Sequence, residues 1–297
     1  MPTTALFHAV VLASALILAV PAASIGQSTS PRPVILITGS TDGLGREVAR
    51  RLAATGAHII VHGRNRERGT ALVEEITREG KGSARFYAAD LASLQQVRDL
   101  AAAVLRDYDR LDVLINNAGI WLDGAEGRKL SADGHEMHFA VNYLSGFLLT
   151  RLLLPRIVSS SPSRIVNVSS GAQTPIQFDD VMLERGYSDS RGYAQSKLAQ
   201  VMFTIDLAAE LAGKSVTVTA LHPATFMNTN MVLSRGAAPR STVEAGADAV
   251  VNLVTAPGIE SGSYYNGIRP APPNAQALDA DARAKLRKLS EELTGAR

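Results

Sequence analysis

Short apolar runs alternate with amphipathic helical stretches from Pro33 onward, and this alternation limits the fold more than any other feature of the sequence. Continuously apolar strands that alternate with helices are typical of a parallel sheet covered by helices on both faces. The sequence therefore predicts an α/β fold, a doubly wound parallel sheet in a single domain over residues 32–297. Ligands of such sheets bind at the carboxyl ends of the strands.

The predicted strands cover residues 34–38, 58–62, 85–89, 111–115, 164–168 and 216–221. The predicted helices cover residues 44–55, 66–79, 93–108, 133–157 and 191–213, and a last helix near 276–293 follows a proline-rich bend at 270–273. Capping-box patterns at Ser93-Leu-Gln-Gln96 and Ser241-Thr-Val-Glu244 mark two helix N-termini.

The composition is that of a globular protein with a full core, because 46% of the 297 residues are hydrophobic and 20% are charged. The net charge of +2 and the lack of a long basic run indicate no nucleic-acid partner. Without cysteine the chain has no disulfide, thiol nucleophile or thiolate metal site. Its six histidines lack the spacing of metal ligands, so we expect no metal.

The N-terminus departs from this composition, because residues 9–20 form an apolar run that a polar, serine-rich stretch follows. Three interpretations stay open for residues 1–31: a signal peptide cleaved near Ala22, a membrane anchor, and a misassigned start. No Lys or Arg precedes the run while Arg32 follows it, which favours an uncleaved anchor with its C-terminal side in the cytoplasm. We therefore expect a cytoplasmic or membrane-anchored protein, with export after cleavage as the alternative.

A glycine-rich turn, Thr38-Gly-Ser-Thr-Asp-Gly-Leu-Gly45, follows the first strand and opens a helix. Its glycines let the backbone approach a pyrophosphate at the helix N-terminus, although the spacing is G-x3-G-x-G rather than G-x-G-x-x-G. A tight turn without a ligand is the alternative. The predicted cofactor contacts in this turn are Gly39, Ser40, Thr41, Gly43, Leu44 and Gly45.

The residues after the second strand indicate which dinucleotide binds. NAD sites place an acid there to hold the ribose 2′-hydroxyl, whereas this chain has Arg64. Arg46 also lies near the turn, and a guanidinium pairs with a 2′-phosphate that an acid would repel. We interpret Arg66 and Arg68 as a solvated helix start. The sequence therefore favours NADP(H) over NAD(H).

Tyr193 and Lys197 lie four residues apart and so share one face of a predicted helix. An adjacent ammonium group favours the phenolate, so we expect Lys197 to lower the pKa of Tyr193 toward the working range of a proton donor and acceptor. Tyr187 is a rival phenol, but the residue four positions after it is Arg191. The spacing alone also arises by chance in many helices.

Taken together, these motifs make the chain resemble the short-chain dehydrogenase/reductase family over residues 33–267, and its retinol-dehydrogenase-like branch over residues 164–197. The resemblance implies a Rossmann fold, an NAD(P)-dependent oxidoreductase and, as in many relatives, a homo-oligomer. It implies a catalytic tetrad of Asn142, Ser170, Tyr193 and Lys197, with Ser170 rather than Ser169 and with a relay water on Asn142. The further cofactor contacts that it implies are Asp90, Leu91, Asn117, Ala118, Gly119, Tyr193, Lys197, Pro223 and Thr225.

One segment departs from the family pattern. The family has Pro-Gly after the sixth strand, and this chain has Leu221-His-Pro-Ala-Thr225. Because Ala224 is less free than glycine, the path of this loop is open. Thr225 and Thr229 are both candidates for a cofactor contact.

The resulting hypothesis is hydride transfer between the cofactor and a small-molecule carbonyl or alcohol, with Tyr193 as proton donor or acceptor. A hydrophobic substrate is expected because the predicted pocket is apolar. Its residues are Trp121, Phe178, Met182, Phe226, Met227 and Met231, some of which could instead pack the core. A non-catalytic NADP-binding sensor or scaffold module is the alternative function.

Overall fold

The strands of the computed structural model, which describes residues 1–3, 32–122 and 127–296, form one sheet in the order β3-β2-β1-β4-β5-β6-β7-β8. All neighbours pair in parallel except β7 and β8, which pair in antiparallel. The strands are β1 Val34–Ile37, β2 His58–Gly63, β3 Ser83–Ala88, β4 Val113–Asn116, β5 Ser163–Val168, β6 Val216–His222, β7 Tyr264–Asn266 and β8 Arg269–Pro270. The predicted doubly wound sheet is confirmed.

Helices cover both faces of this sheet. They are α1 Gly43–Ala54, α2 Arg66–Glu79, α3 Leu94–Asp107, α4 Ser145–Ser159, α5 Asp189–Glu210, α6 Asn230–Leu233, α7 Val243–Thr255 and α8 Ala280–Thr294. A π-helical turn, Phe139–Leu144, leads into α4, and a 3₁₀ turn, Ala275–Leu278, precedes α8. Alternate residues of β1 serve the two faces: Leu36 joins the core beneath α3, α4, α5 and α8, and Ile37 joins the core beneath α1, α2 and α7.

Two helix starts differ from the predictions. The helix predicted over residues 133–157 begins at Met137, because the Glu136 carboxylate caps it there by accepting the N–H groups of His138 and Phe139. The capping box predicted at Ser241 is wrong by one residue, because the Thr242 hydroxyl caps α7 by accepting the Ala245 N–H. The Ser241 hydroxyl instead donates to the Thr225 carbonyl.

The sheet order places the site. The order reverses at β1, which lies between β2 and β4, and in open sheets of this kind ligands bind beyond the carboxyl ends of the strands at such a reversal. The glycine-rich turn follows β1, and Asn117 follows β4 at the same edge. Residues 32–296 belong to one compact unit. The signal or anchor predicted for residues 1–31 lies outside the described residues apart from 1–3, and no described helix is long and apolar enough to cross a membrane.

Candidate active site

The glycine-rich turn presses against the segment that follows β4. Gly39 has a φ of +64°, and a Cβ on it would lie 2.9 Å from the Ala118 Cα. Only glycine therefore fits this position without strain. Gly43 begins α1, where the Asp42 side chain accepts its N–H, and Leu44 and Gly45 are buried in the first turn. This close turn at a helix N-terminus fits the pyrophosphate of a dinucleotide.

Ser40 and Thr41 have different surroundings in this turn. The Ser40 hydroxyl is buried and donates to the Ile37 carbonyl over 2.8 Å while it accepts the His62 N–H over 3.0 Å. Thr41 packs over Gly63 at the end of β2, where a Cβ would lie 2.6 Å from the threonine side chain. Ser40 therefore holds the turn together, and Thr41 lies against the carboxyl end of β2.

Arg64 and Asp90 meet at the carboxyl ends of β2 and β3. The Arg64 side chain is 70% exposed, and its Nη1 lies 3.9 Å from Asp90 Oδ2. Asp90 Oδ1 accepts the Ala92 N–H, and Leu91 is buried beside it. The Arg64 guanidinium is therefore largely exposed to solvent at the carboxyl ends of β2 and β3.

The other arginines near the turn are bound to acids or exposed. Arg46 forms an ion pair with Glu75, and Arg68 Nη1 lies 3.1 Å from Asp42 Oδ2. Arg66 is exposed at the first residue of α2, as the predicted solvated helix start requires. Arg68, by contrast, reaches across to the glycine-rich turn.

The segment after β4 is hydrogen-bonded to the glycine-rich turn. The N–H groups of Asn117 and Ala118 both donate to the Thr38 hydroxyl over 3.0 Å, and Asn117 Nδ2 donates to the Thr38 carbonyl. Gly119 then lies beside the Lys197 Nζ and the Asn142 amide. This segment therefore lies between the glycine-rich turn and the predicted catalytic residues, and contacts both.

Lys197 is buried on α5, where Nζ donates to the Val168 carbonyl over 2.9 Å and to Gln200 Oε1 over 3.0 Å. Burial lowers the pKa of Lys197 to about 7, because the charged ammonium loses its water. Nζ lies 5.7 Å from the centroid of the Tyr193 ring. The two residues thus share a helix face as predicted.

The pKa of Tyr193 differs from the sequence prediction. Burial raises this pKa, and the hydrogen bond with the Ser170 side chain lowers it by less. The prediction of a lowered Tyr193 pKa is wrong in direction, because burial removes the water that would stabilise the phenolate. The phenol therefore favours its protonated form, which is the form that donates a proton.

The structure distinguishes the two serines at the end of β5. The Ser169 hydroxyl donates to the Lys197 carbonyl over 2.7 Å and so faces the backbone of α5. Ser170 Oγ accepts the Ala172 N–H over 3.1 Å and is the hydrogen-bond partner of Tyr193. Of the two serines, the structure therefore places the predicted catalytic Ser170, and not Ser169, against Tyr193.

Asn142 lies in the π-helical turn, an irregularity that often marks a functional site. Its Oδ1 accepts the Ile120 N–H over 2.7 Å, and its Nδ2 donates to the Ile120 carbonyl and the Ser196 hydroxyl. Asn142 thus ties the segment after Gly119 to the residue preceding Lys197. The relay water predicted on it stays a prediction.

An aromatic wall flanks Tyr193. The Trp121 ring lies 5.4 Å from the Tyr193 ring, and Phe226 stacks on Trp121 at 6.3 Å. The Arg235 guanidinium lies over the Trp121 ring at 4.1 Å and binds Asp189. Two of the predicted pocket residues, Trp121 and Phe226, are therefore brought together at the phenol.

The other predicted pocket residues are used differently. Met227 packs against the core beneath α1 and α7, where a Cβ on Gly246 would meet its sulfur, as the core-packing alternative for these residues expects. Phe178 and Met182 are partly buried against the core beneath α5. Met231 is half-buried in α6.

The loop after β6 accommodates alanine without strain. Ala224 keeps a negative φ, whereas Phe226 has a φ of +46°. Pro223 is buried, and the exposed Thr225 hydroxyl lies 3.0 Å from His222 Nε2. Thr229 packs on Gly43, because a Cβ there would lie 3.2 Å from the threonine methyl. Thr229 is thus the threonine nearer the glycine-rich turn.

Sequence reasoning did not identify four polar residues that shape this region. His62 Nδ1 accepts the Gly39 N–H over 3.1 Å. Glu136 and His138 form a buried pair beside Tyr193, and Arg235 donates to the Leu122 carbonyl as well as covering Trp121. The position of His62 two residues before Arg64 was the available signal for the first, whereas the others depend on tertiary contacts.

Comparisons with known proteins agree with this geometry. Residues 33–239 match the family described as short chain dehydrogenase. Human retinol dehydrogenase 13 is 35% identical over 303 residues, covering 91% of this chain and 86% of that protein. Human retinol dehydrogenase 14 is 37% identical over 293 residues, covering 88% and 86%.

A solved structure is also similar to this chain. It is a putative short chain dehydrogenase from Escherichia coli CFT073 complexed with NADPH, with a TM-score of 0.66 and 25% identity. The match covers 79% of this chain and 96% of that one.

Proposed function

The chain belongs to the retinol-dehydrogenase-like branch of the short-chain dehydrogenase/reductase family, an oxidoreductase family, and from this premise we propose that it reduces hydrophobic carbonyl compounds with NADPH. The observation that carries the proposal is the convergence of Ser170, Tyr193 and Lys197 beside the glycine-rich turn. A bound nicotinamide cofactor supplies the hydride.

Tyr193 is the proton donor in this proposal. Its raised pKa keeps the phenol protonated at neutral pH, so it can donate to the oxygen of a carbonyl as that oxygen gains charge. Ser170 donates a hydrogen bond to the same oxygen and orients it. The Lys197 Nζ lies 5.7 Å from the centroid of the phenol ring, where its positive charge stabilises the phenolate that remains after proton transfer.

The preference for NADPH rests on Arg64. Its exposed guanidinium at the end of β2 can pair with a 2′-phosphate, and Thr41 faces the same strand end. The similar solved structure complexed with NADPH supports the same cofactor. Asp90 and Leu91 would hold the adenine, and Asn117, Ala118 and Gly119 would line the path from adenosine to nicotinamide.

A hydrophobic substrate is inferred from the aromatic wall. Trp121 and Phe226 present apolar rings next to the phenol, and such surfaces favour apolar ligands that a few polar groups orient. The similar human proteins are named retinol dehydrogenases, which is consistent with an apolar alcohol or aldehyde.

The test is turnover of NADPH with a panel of hydrophobic aldehydes and ketones, in the protein and in Tyr193→Phe. Loss of a general acid lowers kcat by about 10² to 10⁴-fold, whereas NADPH affinity should hardly change. Near-normal turnover in Tyr193→Phe would overturn the role of this residue. Tight NADPH binding without turnover on any member of the panel would favour the non-catalytic NADP-binding module.

A further inference from the structure

A buried glutamate and histidine lie beside the Tyr193 ring, and the proposed reaction uses neither of them. Glu136 and His138 are both fully buried, and His138 Nδ1 lies 2.8 Å from Glu136 Oε1. Buried polar and charged groups are costly unless hydrogen bonds replace the water that they lose. We therefore consider which groups are hydrogen-bonded to Glu136 and His138.

The hydrogen bonds assign the proton on His138. The Leu122 N–H donates to His138 Nε2 over 3.1 Å, so this nitrogen is an acceptor. Nδ1 then carries the hydrogen of a neutral imidazole and donates it to Glu136. Glu136 also accepts the N–H groups of His138 and Phe139, at a helix N-terminus that favours a carboxylate. The pair is thus a neutral imidazole oriented by a carboxylate.

The pair holds one end of the segment that carries Trp121. His138 holds Leu122, and Asn142 holds Ile120 through its N–H and its carbonyl. Trp121 lies between these two points, with its ring 5.4 Å from that of Tyr193. His138 and Asn142 both lie in the helical region that leads into α4. Residues 120–122 are therefore hydrogen-bonded to a single helical region.

The pair also contacts α5, the helix that carries Tyr193. The His138 ring meets the Tyr193 ring edge-on, at 6.4 Å between centroids. A Cβ on Gly192 would lie 2.9 Å from His138 Nδ1 and 3.1 Å from Glu136 Oε1. Glycine is therefore required immediately before Tyr193 for this approach, because a side chain would displace the pair or the helix. Tyr193 thus lies between the edge of His138 and the ring of Trp121.

We propose that His138, oriented by Glu136, is a positioning residue: it holds the backbone at Leu122 so that Trp121 packs against Tyr193 and keeps the phenol aligned. The role of that alignment in turnover rests on the proposed oxidoreductase function. The position of Trp121 can be measured separately, because it is the single tryptophan of the chain and its fluorescence reports this site alone.

The experiment compares His138→Leu, which removes the acceptor for the Leu122 N–H, with His138→Gln, whose amide oxygen can replace it. Asp112→Asn is the matched control: this buried carboxylate accepts the Val34 N–H over 2.8 Å at the amino ends of β1 and β4, away from the carboxyl ends where the site lies. Tryptophan emission, acrylamide quenching, Tm, NADPH Kd and kcat are measured for each full-length protein.

His138→Leu should shift Trp121 emission to longer wavelength, increase its quenching and lower kcat by about 10-fold or more, because small misplacements of reacting groups are costly. NADPH Kd should change little, and His138→Gln should restore most of the loss. Asp112→Asn should lower Tm without moving the emission. Unchanged emission and kcat in His138→Leu, or the same changes in Asp112→Asn, would overturn the proposal.

A second variant keeps the test decisive if His138→Leu does not fold. Glu136→Gln leaves the imidazole in place but weakens its orientation, so it should shift the emission and kcat in the same direction by a smaller amount. Native emission and kcat in Glu136→Gln would also overturn the proposal. If the unmodified protein turns over no carbonyl, the proposed function fails, while the emission still tests whether His138 holds Trp121.

Discussion

The Lys197 Nζ lies 5.7 Å from the centroid of the Tyr193 ring, but its hydrogen bonds run to the Val168 carbonyl and to Gln200. Burial raises the pKa of Tyr193 and lowers the pKa of Lys197 to about 7. Burial therefore favours the neutral form of both groups. At neutral pH the pair carries less positive charge than an exposed tyrosine and lysine would.

The buried Lys197 should make the free energy of unfolding depend on pH. Burial lowers the pKa of Lys197 to about 7 in the folded protein from its ordinary value of 10.5, so the unfolded chain binds more protons between these values. The free energy of unfolding should therefore rise between pH 7 and pH 9 by about 2 kcal/mol more than it does in Lys197→Met. Urea unfolding at both pH values measures it. Parallel profiles, or the same effect in the exposed Lys81→Met, would contradict it.

The two neighbouring serines give a matched pair of variants. Ser170→Ala should lower kcat by about 10²-fold, because it removes a donor to the developing oxyanion. Ser169→Ala removes a hydroxyl that donates to the Lys197 carbonyl, so it should lower the free energy of unfolding by about 1 kcal/mol and leave most of kcat. Steady-state kinetics with NADPH and urea unfolding separate the two effects. Equal losses of kcat in the two variants would contradict the role of Ser170 as a hydrogen-bond donor to the substrate oxygen.

Much of this fold was predictable because its strands are local patterns. Residues 34–37 and 216–221 are apolar enough to be recognised alone, and the glycine-rich turn between β1 and α1 has few other uses. The short β7 was missed, because Tyr264–Asn266 is only three residues long and has no extended apolar run. Pairing with β6 makes it a strand, and pairing is a tertiary property.

Within the candidate site, the sequence indicates which residues come together better than it indicates how deeply each one is buried. The spacing of Tyr193 and Lys197 predicts a shared helix face, but the direction of the Tyr193 pKa depends on burial that no local pattern encodes. Met227 and Phe226 are both large apolar residues of the same loop, so the sequence does not distinguish them. In the structure Met227 packs against Gly246, whereas Phe226 stacks on Trp121. The Glu136–His138 pair likewise depends on the approach of Gly192 from a distant helix.

Arg64 should determine the choice of cofactor. Arg64→Ala should weaken NADPH binding by about 10-fold or more, about 1.4 kcal/mol, and leave NADH binding nearly unchanged, because only NADPH has the 2′-phosphate. Arg66→Ala is the control, since Arg66 is an exposed arginine of the same surface at the start of α2. Titration calorimetry of the unmodified protein and both variants with NADPH and with NADH measures the six affinities. An equal loss for NADPH and NADH would show that Arg64 does not read the phosphate.

His62 should control cofactor affinity through the glycine-rich turn. Its Nδ1 accepts the Gly39 N–H, and its backbone carbonyl accepts the Ser40 N–H, so it holds the turn from beneath. His62→Leu leaves the Gly39 N–H without its acceptor, which costs about 1–3 kcal/mol. NADPH Kd should therefore rise by about 10-fold, and His62→Asn, whose amide oxygen can accept the same N–H, should recover part of the affinity.

The pH dependence of His62 gives an independent measure of the same contact. Burial lowers its pKa to about 4 from 6.5, so the unfolded chain binds more protons between these values and the folded protein loses stability as pH falls through this window. The free energy of unfolding between pH 6.5 and pH 4.5 should fall more steeply in the unmodified protein than in His62→Leu. A steep fall that persists in His62→Leu would assign the acid sensitivity to other groups. Unchanged NADPH affinity in His62→Leu would show that the turn keeps its shape without this acceptor.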